Sequence, residues 1–283
     1  MALRRILATG LRLLLAGGLA AQANAQDLHP VCSGLAMPFD LVSNFEIVVQ
    51  GQLDELTGLR FILDTGSSYS TIDRRVADRM GLRRRPDTVF SFNRTLAIER
   101  TDVPELRIGP MRVANIGMMV ARLADLSELA ENADGIIGMD VLSRARTICI
   151  DYERRRFFFK LDEEPVRNPV RAFVIPANIQ GISMRLLVDT GFEYLLLYKD
   201  RLRSALPHLH TEGEPRNAIL GRLRAEQINL PGVQIAGPQG TASVLLIEGP
   251  GKAGLDVDGY FGPAALHARR VELDFVARIL RWE

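Results

Sequence analysis

Two segments of this sequence place an aspartate at the end of an apolar run and follow it with a small hydroxyl residue and a glycine: Leu63-Asp64-Thr65-Gly66 and Val188-Asp189-Thr190-Gly191. A single copy reads equally well as a turn, because Asp and Gly are both good turn formers. Two copies at matching positions read as a carboxylate pair, since equivalent residues near an approximate two-fold axis face each other. Carboxyls in contact cannot comfortably both ionise, so Asp64 and Asp189 would hold one proton between them and titrate as a unit. The ionised member can take a proton from water while the protonated member donates to a carbonyl oxygen. That is a device for hydrolysing an amide without a metal ion or a covalent intermediate. Around the pair, Thr65 and Thr190 are expected to lock the two loops by hydroxyl-to-backbone bonds across the axis. Gly66 and Gly191 are expected to allow the turn that brings N–H groups to the carboxylates.

The elements that must position these residues recur with them. Leu59–Gly66 is matched by Met184–Gly191, and Ala133-Asp134-Gly135-Ile136-Ile137-Gly138 by Val257-Asp258-Gly259-Tyr260-Phe261-Gly262, both at a separation of about 125 residues. Flanking segments repeat too: Thr147–Asp151 before Phe157-Phe158-Phe159 mirrors Val271–Asp274 before Ile279-Leu280. The shared plan is mostly β. Phe45, Ile47 and Val49 alternate with Glu46 and Val48 as a strand, and Leu59–Leu63 is a second strand ending at Asp64. In the other half Phe173–Ile179 and Ile182–Val188 are strands joined at Gln180-Gly181. Helices are expected over Asp73–Met80, Leu126–Ala133 and Lys199–Leu206 only, and the lack of long helical periodicity excludes bundles and doubly wound α/β folds. The charged, proline-containing stretch Leu161–Pro169 marks the connector. The expected division is 1–25 as a leader, 26–43 as an N-terminal segment, 44–160 as one lobe, 161–169 as the linker and 170–283 as the second lobe.

At Phe61–Ser68, Leu186–Gly191 and the two apolar-apolar-Gly segments, the sequence resembles the pepsin-like and retropepsin-like aspartic proteases, most closely their bacterial retropepsin-like members. The resemblance implies a duplicated acid-protease fold, two β-barrel-like lobes with a cleft between them. It implies Asp64 and Asp189 as the catalytic dyad, supported by Thr65, Gly66, Ser67, Thr190 and Gly191. The apolar-apolar-Gly segments would pack beside the dyad loops, and a hairpin flap, here Thr88–Asp102 with Phe90 and Phe92, would close over a polypeptide substrate. The family places a small residue three positions after each aspartate, where a hydroxyl can bond the carboxylate. Ser67 fits this pattern and Phe192 departs from it. A bulky ring there would desolvate Asp189, suiting either the acid partner of the dyad or a lobe that has lost catalysis. Two functions follow as expectations: an aspartic endopeptidase, or a non-catalytic two-lobed protein that binds a peptide or ligand.

Arg4, Arg5 and Arg12 precede the apolar run Leu13–Ala21 and Ala23-Asn24-Ala25, the form of a cleaved export signal, so the mature protein is expected in the periplasm or secreted. Over the whole chain 35 Lys and Arg face 34 Asp and Glu, and loss of the leader leaves a slight acidic excess. That balance argues against a nucleic-acid partner, which would require phosphate neutralisation. No later segment is apolar enough for stable membrane insertion. A monomer with an intramolecular pseudo-two-fold is expected. Cys32 and Cys149 form either one bridge or two small buried apolar side chains.

No cofactor or metal site is expected. Gly249–Gly254 matches G-x-G-x-x-G but runs into Leu255–Gly259 without a helix, and is read as a loop. His208 and His210 belong to a surface loop without metal-ligand spacing, and no G-x-S-x-G segment offers a serine nucleophile. Arg83–Arg85 and Arg154–Arg156 are read as solvated turns, with an anionic membrane surface as their alternative contact.

Overall fold

The structure is a computed structural model that describes residue 30 and residues 32–91, 94–126, 132–162, 170–205, 208–220, 223–248 and 256–283. The expected leader, the Gly249–Gly254 loop and most of the connector lie outside the described residues.

Strands dominate. The first half contains β1 (Leu35–Pro38), β2 (Asp40–Val42), β3 (Glu46–Leu53), β4 (Leu56–Leu63), β5 (Thr71–Asp73), β6 (Arg85–Ser91), β7 (Arg94–Ile108), β8 (Met111–Ala121), β9 (Gly135–Ile137), β10 (Thr147–Asp151) and β11 (Arg156–Lys160). Between them lie the short helices α1 (Arg74–Arg79), α2 (Leu123–Leu126) and α3 (Met139–Leu142). The second half runs β12 (Val174–Ile179), β13 (Ile182–Val188), β14 (Leu195–Tyr198), α4 (Lys199–Ala205), β15 (Glu212–Leu220), β16 (Leu223–Gln234), β17 (Gln239–Ile247), β18 (Gly259–Phe261), β19 (Arg270–Asp274) and β20 (Ile279–Trp282).

Two large sheets have one topology. The first is ordered β2-β3-β4-β9-β5-β8-β7-β6, with β3 also pairing β7; the second is ordered β12-β13-β18-β14-β17-β16-β15, with β12 also pairing β16. Those extra pairings curl each sheet back on itself into a barrel-like lobe. In both, the hairpin strand that ends at the aspartate lies parallel to the apolar-apolar-Gly strand: Leu63 opposite Ile137 and Val188 opposite Phe261. A third sheet, β1-β11-β10-β19-β20, takes strands from both halves and is joined at its centre by the antiparallel pair β10–β19. Its apolar face adds Ile148, Ile150, Phe157, Phe159, Val271 and Leu273 to the main core.

The local chemistry explains the helix ends. Asp73 caps α1, its carboxylate accepting the Arg75 N–H at 2.9 Å. Of the helix expected over Leu126–Ala133 only its first residue falls in a described helix, α2 (Leu123–Leu126); Leu123 N–H is held by the Asp73 carboxylate at 2.9 Å and the Leu123 side chain is fully buried. Residues 127–131 of that expectation lie outside the described residues. Cys32 and Cys149 are disulfide-bonded, which decides between the two readings and ties the segment preceding β1 to β10. No helix among the described residues is long and apolar enough to cross a membrane.

Candidate active site

Each Asp-Thr-Gly loop leaves the end of a hairpin strand and is caught by the parallel neighbour. Asp64 N–H donates to Ile137 O and Asp189 N–H to Phe261 O, both at 2.9 Å. The apolar-apolar-Gly strands therefore fix where the aspartates emerge. Gly262 continues this contact, since a Cβ there would lie 2.0 Å from Phe192 O.

Between the loops the two threonines form a reciprocal lock. Thr65 Oγ1 donates to Val188 O at 2.8 Å and accepts Thr190 N–H at 3.1 Å. Thr190 Oγ1 donates to Leu63 O at 2.8 Å and accepts Thr65 N–H at 3.0 Å. Both are buried. Each hydroxyl thus satisfies one donor and one acceptor of the opposite half, in a site closed to water.

The lock sets each carboxyl against the glycine of the opposite loop, Asp189 against Gly66 and Asp64 against Gly191. Gly66 and Gly191 make this approach possible. A Cβ on Gly66 would lie 2.3 Å from Asp189 Cγ, and one on Gly191 would lie 3.0 Å from Asp64 Cγ. Neither glycine has a positive φ. The sequence-based reason for glycine, freedom to turn, is therefore replaced by room for the opposite carboxyl. The N–H groups do point as expected, Gly66 N–H donating to Asp64 Oδ1 at 2.7 Å and Gly191 N–H to Asp189 Oδ1 at 2.9 Å.

The two aspartates differ in their surroundings. Asp64 is half-buried and also accepts the Ser67 hydroxyl on Oδ2 at 2.6 Å and Ser67 N–H on Oδ1 at 3.3 Å. Asp189 is 8% exposed, and the position matching Ser67 is Phe192, which has no hydroxyl. Phe192 packs with Leu187, Leu196 and Leu245 in a separate apolar layer, edge-on to Tyr194 with ring centroids 5.9 Å apart. Burial, and then the adjacent Asp64, hold the Asp189 carboxyl well above the ordinary range, so it keeps its proton.

One site residue escaped the sequence reading. Glu46 lies on the strand face that alternates with Phe45, Ile47 and Val49, and it is 4% exposed. Its face is covered by Leu123 and Ala133, which pack with Val48 and Ile62. Val48 pairs with Ile62; Glu46 precedes Val48 by two residues and Asp64 follows Ile62 by two, which puts both at the same end of the β3–β4 hairpin. Burial, and then Asp64, push its carboxyl up to about 7. A glutamate directly before the apolar run Ile47–Val49 was the available signal.

The hairpin expected over Thr88–Asp102 is formed by β6 and β7, paired from Arg85–Arg100 to Ser91–Arg94. Phe92 and the side chain of Phe90 lie outside what the structure describes. Tyr69, in the loop after Ser68, is flanked by the guanidinium carbons of Arg100 on β7 at 4.8 Å and Arg171 at 4.5 Å from its ring centre. His208 and His210 are exposed. Arg84, Arg85 and Arg154 pair with Asp78, Asp102 and Asp151. Among the described residues no three His, Cys, Asp or Glu side chains are grouped to hold a metal ion.

Residues 49–141 match the family model described as aspartyl protease, a span that includes Asp64, the β6–β7 hairpin and Ile136-Ile137-Gly138. Among solved structures, this chain is similar to a retropepsin-like aspartic protease from Rickettsia conorii, at 18% identity and a TM-score of 0.31, covering 43% of this chain and 86% of that one. No curated protein matches. The family is the one that the Asp-Thr-Gly segments resemble.

Proposed function

We propose that this protein is an aspartic endopeptidase that hydrolyses peptide bonds with water activated by Asp64 and Asp189. The observation that carries the reading is the threonine lock, which sets the carboxyl of each Asp-Thr-Gly loop against the glycine of the other. Asp64, which receives the Ser67 hydroxyl and two N–H groups, is the ionised member and general base. Asp189, buried and holding its proton, is the acid that donates to the substrate carbonyl oxygen as the water oxygen attacks the carbon. The neutral tetrahedral diol then collapses. One hydroxyl proton returns to Asp189, the proton held by Asp64 passes to the departing nitrogen, and the carboxyl and amine products leave the pair singly protonated again. The same chain supplies both carboxyls, which supports a monomer with lobes over 44–160 and 170–283. Disulfide pairing of Cys32 with Cys149 supports an exported, periplasmic or secreted protein, because such bonds persist in oxidising compartments.

The test is incubation of the purified mature protein with an unfolded protein substrate across a range of pH, with and without a transition-state-mimicking inhibitor of aspartic proteases. Inhibitor-sensitive cleavage that Asp64→Asn abolishes is the expected result. Inhibitor or peptide binding without cleavage at any pH would instead identify the non-catalytic two-lobed binding protein.

A further inference from the structure

One half carries a further carboxyl at the dyad end of its hairpin. Glu46 precedes Val48, the partner of Ile62, by two residues, as Asp64 follows Ile62 by two; the matching position before Val174, the partner of Leu187, is Ala172. Glu46 Oε2 is buried with no hydrogen-bond partner among the described residues. An unpaired buried oxygen is costly for a carboxylate and much less so for a neutral carboxyl. Among the described side chains, the charged groups on the elements packed around it are Asp40 on β2, Arg60 and Asp64 at β4, Asp73 with its ion-pair partner Arg75, the exposed Arg122 before α2, and Asp134. Asp40 and Arg60 are exposed, Asp73 is engaged by Arg75 and Leu123 N–H, and Asp134 accepts Arg60 N–H. Asp64 is the group whose charge acts on Glu46.

We propose that Glu46 is a positioning residue of the active site: when ionised, it makes the Asp64–Asp189 pair retain its single proton, and so extends activity toward neutral pH. The proposal rests on the dyad reading above. Coupling between titrating groups is reciprocal, so the charge on Asp64 that hinders ionisation of Glu46 is matched by an equal effect of ionised Glu46 on the pair. Near neutral pH Glu46 begins to ionise, and the added negative charge opposes loss of the pair's last proton. At acid pH Glu46 is neutral and has no such effect. The consequence is one-sided.

Glu46→Gln keeps the neutral shape and cannot ionise. In kcat/KM profiles with a peptide substrate, its alkaline limb should move to lower pH by about one unit, with the acid limb and KM unchanged. Superimposed limbs, or an alkaline limb displaced to higher pH, would overturn the proposal. A wild type without inhibitor-sensitive cleavage at any pH contradicts the dyad reading itself, and with it the role of Glu46 in activity. The coupling has its own readout in carbon-13 carboxyl NMR. The Glu46 midpoint in the folded wild type should fall in Asp64→Asn, and an unchanged midpoint overturns the coupling even if the enzyme is active.

Discussion

Thr65 and Thr190 each use one hydroxyl twice, donating to a carbonyl of the opposite half and accepting the opposite threonine's N–H. Thr190→Val preserves volume and leaves Leu63 O and Thr65 N–H without that partner in a buried place. Urea unfolding should show a loss of about 1–3 kcal/mol. This lock was legible from residue types alone, because two hydroxyl residues beside a two-fold axis have few other partners. The burial of Glu46 was not legible, and it produces a pH signature. Asp189 and Glu46 both hold protons more tightly when folded than when unfolded. Their stabilising contribution is therefore complete below the unfolded values and is lost as pH rises through the folded ones. For Glu46 the window runs from 4.5 to about 7 and corresponds to about 3 kcal/mol. The stability difference between Glu46→Gln and wild type, measured by urea unfolding at several pH values, should widen by about that amount in favour of the variant from pH 4.5 to pH 8. A difference independent of pH would contradict the buried-carboxyl account.

At the scale of elements, the hairpins β3–β4 and β12–β13 and the helices α1 and α4 follow from signals within a short window: alternation, a turn, a cap. The three-residue strands β9 and β18 are too short for periodicity, and only their repetition before the glycines gave them away; β5, equally short and outside that repeat, left no such signal. The burial of Glu46 is not visible in the alternation, which reports which side is apolar, because α2 and the loop before β9 bury the second face as well. Gly262 tests how tightly β18 seats the Asp189 loop. Gly262→Ala would drive its Cβ into the Phe192 carbonyl. It should destabilise the protein by about 1–3 kcal/mol and lower proteolytic activity more than Gly240→Ala, whose Cβ meets nothing within 4 Å.

At the scale of the molecule, the two halves are held by the β10–β19 seam as well as by the threonine lock. The sequence displayed the flanking strands of each half but not their pairing across halves, since strand partnership between segments so far apart leaves no local pattern. Cys32 and Cys149 likewise left two readings until their places were known. Their bond fastens the N-terminal segment to the seam, and Cys32→Ser with Cys149→Ser should cost about 2–4 kcal/mol in thermal or urea unfolding. The claim that joins all three scales is that one chain completes one site from both halves. Its most direct test is kcat/KM of folded Asp189→Asn on a peptide that the wild type cleaves. A fall of at least about 100-fold is predicted, because the buried acid is then gone; activity within about two-fold of wild type would show that Asp189 is not part of the catalytic pair.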